Sequence, residues 1–218
     1  DKDGEIWIGT ETGIAVVYNP NLVFDRDPNG DAQQIIIDDG NDIGFLLGNE
    51  VVNDIKIDGG NRKWIATNNG VWLVKEDGSA VISHLTSETS PLPSNNVNCV
   101  GIVPNTGEVF FGTNSGIASF RSDATEANQN HGNTLVFPNP VDKGYEGPIT
   151  ISGLPEDATV KIVDVAGRVV YELIANGGTA VWDGRNFSGQ LPQTGVYLIF
   201  SGNKENDDTL VSKLLIVR

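Results

Sequence analysis

The residues that could do chemistry are few: two histidines, His84 and His131, a single cysteine, Cys99, and an acid-rich stretch running from Asp25 to Asp31. Neither histidine has an imidazole, thiol or carboxylate at a metal-ligand spacing. His84 falls in a segment that reads as an outer strand, and His131 in a polar connecting stretch. Cys99 lies in Asn98-Cys99-Val100-Gly101-Ile102-Val103 and is expected to be a small buried core residue. Reactive pairing of Cys99 with His84 would need an exposed, low-pKa thiol, which that apolar run does not favour. Serines and aspartates are plentiful, but none sits in a nucleophile-elbow pattern. The chain is expected to carry no catalytic residues and no cofactor. The order Asp25-x-Asp27-x-Asn29-Gly30-Asp31 imitates the start of a calcium loop, in which alternating oxygen ligands face one hard cation. The twelfth position of such a loop is Ile36, where a bidentate glutamate is required. Two readings stay open for Asp25, Asp27, Asn29 and Asp31: a turn-rich connection or a cation site.

The elements that carry these residues are repeats. One phrase recurs three times in register: Ile6-Trp7-Ile8-Gly9-Thr10-x-x-Gly13-Ile14, Lys63-Trp64-Ile65-Ala66-Thr67-x-x-Gly70-Val71 and Val109-Phe110-Phe111-Gly112-Thr113-x-x-Gly116-Ile117. Each copy reads as a strand, a tight turn ending on a glycine able to take positive φ, and a second strand. The copies start 57 and 46 residues apart, close to the period of about 40–50 residues of four-stranded propeller blades. Closing such a ring takes roughly four to eight blades, so residues 1–121 are expected to be about three blades of a larger propeller. Strands are expected before the second and third hairpins, at 51–58 and 97–104, and none before the first, as though the chain starts mid-blade. The insertion between the first two copies reads as an outer strand at 34–38 followed by a Gly/Asp-rich loop at 39–48, and it is a candidate partner surface.

Composition agrees with an all-β chain: 26 Gly, 10 Pro, no Met and no amphipathic helical period of useful length. The net charge of −15 divides unevenly, with 7 basic against 19 acidic residues in 1–133 and 7 against 10 in 134–218. Neither half offers the basic face that phosphate neutralisation needs, so a nucleic-acid partner is excluded. No apolar run reaches the ~18 residues of a membrane span. Residues 122–133 form a polar linker. Beyond it, seven short strands are expected at 134–137, 148–152, 159–165, 169–173, 178–182, 195–201 and 209–217, which fits an immunoglobulin-like β-sandwich over 134–218. Trp182 and Tyr197 read as core aromatics. The run Leu214-Leu215-Ile216-Val217 is continuously apolar, so both faces of the last strand are expected to be covered. The fold class is thus all-β: a partial β-propeller followed by an Ig-like β-sandwich.

The sandwich segment carries a specific resemblance. Phe137-Pro138-Asn139-Pro140-Val141, Gly147-Pro148-Ile149-Thr150-Ile151, Val160 through Tyr171, Trp182-Asp183-Gly184-Arg185-Asn186, Thr194-Gly195-Val196-Tyr197-Leu198 and the ending Lys213-Leu214-Leu215-Ile216-Val217-Arg218 resemble the C-terminal sorting domain of the type IX secretion system of Bacteroidetes. The Trp-Asp-Gly-x-Asn turn is shared with other Ig-like tails. In that family the sorting signal lies in the final strand and chain end, so the resemblance makes Asn139, Pro140, Lys213, Leu214, Leu215, Ile216, Val217 and Arg218 the candidate sorting or docking residues. The N-terminal repeats resemble the two-component-regulator type of propeller, and the combination is similar to the PorZ-like surface components of that secretion system. This resemblance implies a non-enzymatic adaptor, exported through the periplasm to the outer-membrane surface with its tail retained. Its partners would be the sortase PorU, the barrel protein PorV, PorQ and anionic lipopolysaccharide. Two alternatives stay open: secreted cargo that carries a sorting tail, and the sensor ectodomain of a hybrid histidine kinase.

Overall fold

The computed structural model describes residues 1–25, 27–38, 43–130, 134–202 and 209–218. They divide into two compact units, one made of Asp1–Val103 with Glu108–Arg121 and the other of Pro104–Gly107 with Ser122–Arg218. The expected outer-strand position of His84 is observed, and His131 lies outside the described residues.

The first unit is three antiparallel sheets, each built on one sequence repeat, and none closes on itself. The first holds β1 (Ile6–Thr10), β2 (Gly13–Val17) and β3 (Gln33–Gln34), and is followed by a two-stranded ribbon of β4 (Ile36–Asp38) and β5 (Ile43–Phe45). The second has β6 (Val52–Ile57), β7 (Lys63–Thr67), β8 (Gly70–Val74) and β9 (Val81–Leu85), and the third β10 (Val97–Val103), β11 (Glu108–Thr113) and β12 (Gly116–Arg121). The Thr-x-x-Gly turn explains the recurring phrase. In each copy the threonine hydroxyl donates to the glycine carbonyl at 2.8–3.0 Å, and its oxygen accepts the amide two residues on. Gly13, Gly70 and Gly116 take φ of +93°, +116° and +137°, a region costly for any residue with a Cβ.

β7 is buried along its whole length because alternate residues serve two cores. Ile65 packs with Ile14, Val16, Leu46 and Val74 on the first-blade side, whereas Trp64 and Ala66 pack with Val97, Val109 and Phe111 on the third-blade side. Successive blades are also tied through their main chains. The turn glycines Gly13 and Gly70 donate to the carbonyls of Glu50 and Asn95 at 2.9 and 2.7 Å, and Asp54 accepts from the Val100 amide at 3.0 Å. The outer blades keep exposed apolar residues, Ile6 and Ile8 in β1 and Ile117 in β12.

Three expectations are corrected here. Cys99 is exposed, not buried, because β10 carries a bulge between Val97 and Cys99 that breaks the two-residue alternation and turns both Asn98 and Cys99 outward. The outer strand expected at 34–38 is split, because Ile35 turns into the first core and ends the pairing of β3 with β2. Part of the loop expected at 39–48 is strand: Ile43–Phe45 pairs with Ile36–Asp38.

The second unit is a two-sheet sandwich. β14 (Ile149–Ser152) lies between β13 (Leu135–Phe137) and β17 (Thr179–Trp182), and the other sheet runs β16 (Val169–Ile174), β15 (Thr159–Asp164), β18 (Gly195–Gly202), β19 (Thr209–Ile216). Its core gathers Ile149, Ile151, Leu154, Val160, Ile162, Trp182, Ile199, Leu214 and Ile216, all sealed from solvent. Trp182 and Tyr197 are core aromatics, as expected. The Trp182 indole donates to the Arg185 carbonyl at 2.7 Å, and the Tyr197 hydroxyl reaches back to the Gln193 carbonyl at 2.8 Å, the corner hydrogen bond typical of Ig-like sandwiches. Residues 122–128 pair with this unit: the amides of Glu126 and Asn128 donate to the carbonyls of Pro104 and Leu154, and the Gly178 amide to Thr125, each at 2.9 Å.

Candidate docking site at the C-terminal strand

β19 pairs antiparallel with β18 from Ser201↔Thr209 to Gly195↔Ile216. Alternation decides its faces. Leu214 and Ile216 are fully buried, while Lys213 and Leu215 point outward, with Leu215 at 41% exposure. The expectation that both faces are covered is therefore corrected. The apolar run reads as two-sided, but the strand lies at the margin of its sheet, and among the described residues no layer covers Lys213 and Leu215 on its outer face.

A strand at a sheet margin presents a row of unpaired amides and carbonyls, which invites pairing with another chain. Here residues 139–141 close that margin. The Asn139 side chain works as a surrogate peptide group: its Nδ2 donates to the Lys213 carbonyl at 2.7 Å, and its Oδ1 accepts from the Leu215 amide at 3.1 Å. Val141 continues the pairing with its main chain, donating to the Leu215 carbonyl at 2.8 Å and accepting from the Val217 amide at 2.9 Å. Pro140, between them, has no amide to leave unsatisfied. The Phe137–Pro138 and Asn139–Pro140 bonds are both cis. Arg218 is fastened as well, its amide donating to Thr194 Oγ1 at 2.8 Å and its guanidinium to the Tyr145 carbonyl at 3.0 Å. The structure thus brings Asn139, Pro140 and the residues from Lys213 to Arg218 into one assembly, although more than 70 residues separate the two segments.

Around this assembly the surface is apolar and accessible. Leu215 faces its cross-strand partner Val196 on the outer side of the sheet, and both are exposed. Leu135 and Phe137 of β13, upstream of Asn139, are exposed to about the same high degree. Two titratable groups of the same sheet are shifted from their usual ranges. The Asp164 carboxyl is held below the usual carboxylate range, first by the Arg168 amide and further by the Arg168 side chain and the Ala166 amide. Burial raises the Tyr197 hydroxyl above the usual tyrosine range, with the charge of Asp164 adding to it. Such a site presents an accessible apolar strand face of the kind a polypeptide surface can cover.

The remaining candidates stand apart. Asp27 caps the short helical turn Pro28–Gly30, its Oδ1 accepting from both the amide and the side chain of Asn29 at 2.9 and 2.8 Å. Asp25 and Asp31 lie exposed beside it, and among the described residues no group of three His, Cys, Asp or Glu side chains is placed to hold a metal ion. His84 stacks on Trp72 with ring centroids 3.6 Å apart and planes 9° from parallel, and its Nε2 sits 2.8 Å from the Asn69 carbonyl.

Sequence reasoning missed one structural set. The carboxylate of Asp58 receives the Trp64 indole at 3.1 Å and the Arg62 guanidinium at 2.9 Å, and Asp1 receives the Trp7 indole at 3.0 Å. The signal was present as an aspartate six residues before the tryptophan in two repeats. In the third repeat those positions are Pro104 and Phe110, and neither half of the pair remains. The turn between acid and indole takes positive φ at the same place in all three copies, at Gly4, Asn61 and Gly107.

No protein-family model matches the sequence, and no curated protein does. Among solved structures, PorZ of Porphyromonas gingivalis, described as an essential bacterial surface component of the type-IX secretion system, matches along 100% of this chain at 28% identity with a TM-score of 0.68. The chain spans 29% of that PorZ chain. The extracellular domain assigned to a hybrid two-component system of B. thetaiotaomicron covers 98% of this chain and 31% of its own at 12% identity and a TM-score of 0.38. Dimeric latent PorU of P. gingivalis covers 85% and 20% at 14% identity and 0.30. These last two are too distant to bear on function. No helix among the described residues is long and apolar enough to cross a membrane. The fold of the chain, a partial propeller and an Ig-like sandwich, is PorZ-like.

Proposed function

We propose that this chain belongs to a non-enzymatic cell-surface adaptor of the type IX secretion system, one that assists sortase-dependent attachment of cargo to anionic lipopolysaccharide. The observation that carries this reading is the PorZ-like fold over the full length of the chain at 28% identity. The closed margin of β19 supports it. A terminal strand held by Asn139, Val141, Thr194 and Tyr145 is a preformed surface that a partner can engage without first ordering a loose tail. In this reading the outer face of β19 and the candidate residues Asn139, Pro140 and 213–218 contact the secretion machinery, with PorU, PorV and PorQ as partners. The protein works at the outer-membrane surface after export through the periplasm, turns over no substrate and needs no cofactor.

The test is the intact mass of the protein recovered from the surface of the native cell, combined with affinity capture. Retention of residues 134–218 together with co-purification of PorU and PorV is the expected result. Loss of those residues, with lipopolysaccharide joined covalently at 124–133, would make the protein ordinary cargo of the same system. Deleting 213–218 is expected to abolish surface display while the rest still reaches the periplasm, and normal display of that deletion would remove the sorting role.

A further inference from the structure

We infer that the cleft between the β15–β16 turn and the loop 186–193 of the sandwich is a binding site for an uncharged saccharide ring. It shares no lining residue with the assembly at β19, and the inference stands independently of the function proposed above. The cleft measures about 450 Å³ and belongs wholly to the second unit. That volume falls within the range of small-ligand clefts, roughly 300–1,000 Å³.

The loop is braced from within. Asn186 Oδ1 accepts the amides of Ser188 and Gln190 at 2.9 Å each, the Asn186 amide donates to the Gln190 carbonyl at 2.8 Å, and the Arg185 guanidinium donates to the Gly189 carbonyl at 3.0 Å. This bracing fixes Phe187, which is 66% exposed. Its ring is tilted on Tyr171 with centroids 5.2 Å apart, and Tyr171 in turn stacks with Trp182 of the core. Leu191 and Val169 are exposed in the same cleft. The three side chains form an apolar platform open to water, the kind of surface that a ligand covers.

The polar lining selects the occupant. Asp164 and Arg168 are the two charged residues of the cleft, and they are spent on each other. Asp164 Oδ1 accepts the Ala166 and Arg168 amides at 2.9 and 3.0 Å, and its Oδ2 accepts Nε and Nη2 of Arg168 at 2.8 Å each. Neither an anion nor a cation therefore finds an unpaired charge. The main-chain amides of residues 186–190 all donate within the unit, so the loop offers no open row of donors to an extended peptide. Left over are Asn186 Nδ2, the Ser188 hydroxyl and the side-chain amides of Gln190 and Gln193, which take no partner among the described residues. Carboxamides and a hydroxyl set donors and acceptors side by side, the complement of ring hydroxyls, which also do both. The electron-rich face of Phe187 suits the C–H groups on the flat side of the same ring.

The experiment uses the 218-residue chain, isotope-labelled, and follows amide shifts by NMR as each probe is added. The probes are three neutral trisaccharides (maltotriose, cellotriose and mannotriose), the anionic trimer of galacturonate, and a hexapeptide of alternating serine and asparagine. The peptide carries hydroxyls and amides but no ring face. At least one neutral trisaccharide is expected to move the amides of 164–170 and 186–193 saturably below about 10 mM. The galacturonate trimer should bind about fivefold more weakly or worse, since nothing in the cleft pairs its charge. Phe187→Ala should weaken the best trisaccharide about fivefold. Phe187→Leu keeps an apolar contact on Tyr171 without the ring face and should weaken it as much, with an unchanged melting curve. Gln190→Ala should cost about threefold, and Phe24→Ala, an exposed phenylalanine of the first unit, should change nothing. No saturable shift with any of the three trisaccharides, or shifts confined to other residues, would overturn the inference. So would galacturonate or the peptide binding as tightly as the best trisaccharide, or wild-type binding by both Phe187 variants.

Discussion

Replacing Asn139 by alanine removes one side chain and two hydrogen bonds, and the structure says which backbone groups it leaves bare. The Lys213 carbonyl loses a donor at 2.7 Å and the Leu215 amide loses its acceptor at 3.1 Å. Both bonds are exposed to solvent, so each contributes toward the lower part of the usual range, about 0.5–1.5 kcal/mol. The pair together is therefore worth about 1–2 kcal/mol. The adjacent Val141 pairing survives, so the loss falls on local opening at Leu215 and not on the whole sandwich. A difference of 1.4 kcal/mol is tenfold in an equilibrium constant, and amide exchange reads that opening directly. Exchange at Leu215 is expected to accelerate about tenfold in Asn139→Ala. The amides of Leu214 and Ile216, which face β18 by the alternation of an antiparallel ladder, should keep their protection. Asn139→Gln carries the right groups one methylene too far out and should fall between. Resolved exchange measurements by NMR on the three proteins decide it. Leu215 exchange within twofold of wild type in Asn139→Ala would refute the idea that a side-chain amide closes this margin.

Asp58→Ala takes away the carboxylate that the Arg62 guanidinium and the Trp64 indole share, in a site where Asp58 is only 1% exposed, and urea denaturation should show a loss of about 3 kcal/mol. Gly70→Ala and Gly116→Ala change the same repeat position with different cost. A methyl at Gly70 runs into the Leu85 carbonyl oxygen, whereas at Gly116 the nearest group is Pro93 Cγ at 3.8 Å. Thermal melts should show a loss of about 3 kcal/mol or more for the first and about 1–2 kcal/mol, the φ strain alone, for the second. Asp164 titrates below the ordinary carboxylate range in the folded chain, so its contribution to stability is complete above the unfolded carboxylate pKa and fades as the pH falls through the lowered folded value. Arg168→Ala should raise the Asp164 midpoint seen by NMR only in part, because the Arg168 amide, the largest cause, stays in place.

The legible parts of this chain are those where local chemistry fixes local geometry. Thr-x-x-Gly announces each hairpin because its hydroxyl and its positive φ are properties of four residues. The sandwich strands were readable to within a residue or two because alternation is a short-range pattern. What escaped the sequence depends on distance or on a single slip of register. Cys99 reads as buried under strict alternation, and one extra residue in β10 turns it out. Leu215 reads as covered because its neighbours are apolar, yet coverage is set by where the strand falls in the sheet. Ile35 breaks an outer strand because a core needs filling from that side. Asn139 was picked out by resemblance, but its work as a stand-in for a peptide group needs a strand that lies 74 residues away. The Asp58–Trp64 pair was spelled out twice in the sequence and gains meaning only once the intervening turn is seen to bring the two ends together.

That pair also constrains what can be exchanged between the repeats. Take away the aspartate first, and a tryptophan donor is left without its acceptor in a dry place. Exchange the tryptophan first, and the acid loses one of the groups that justify its burial. Each single exchange is worse than either matched set, so the two positions act as one unit. The third copy, with Pro104 and Phe110, carries neither member of the pair. A tryptophan placed at 110 alone would meet a proline, and no carboxylate, at 104. Transplanting residues between blades will succeed in matched sets and fail one at a time, which makes the seven-residue segment from acid to indole, and not the single residue, the interchangeable part of this propeller.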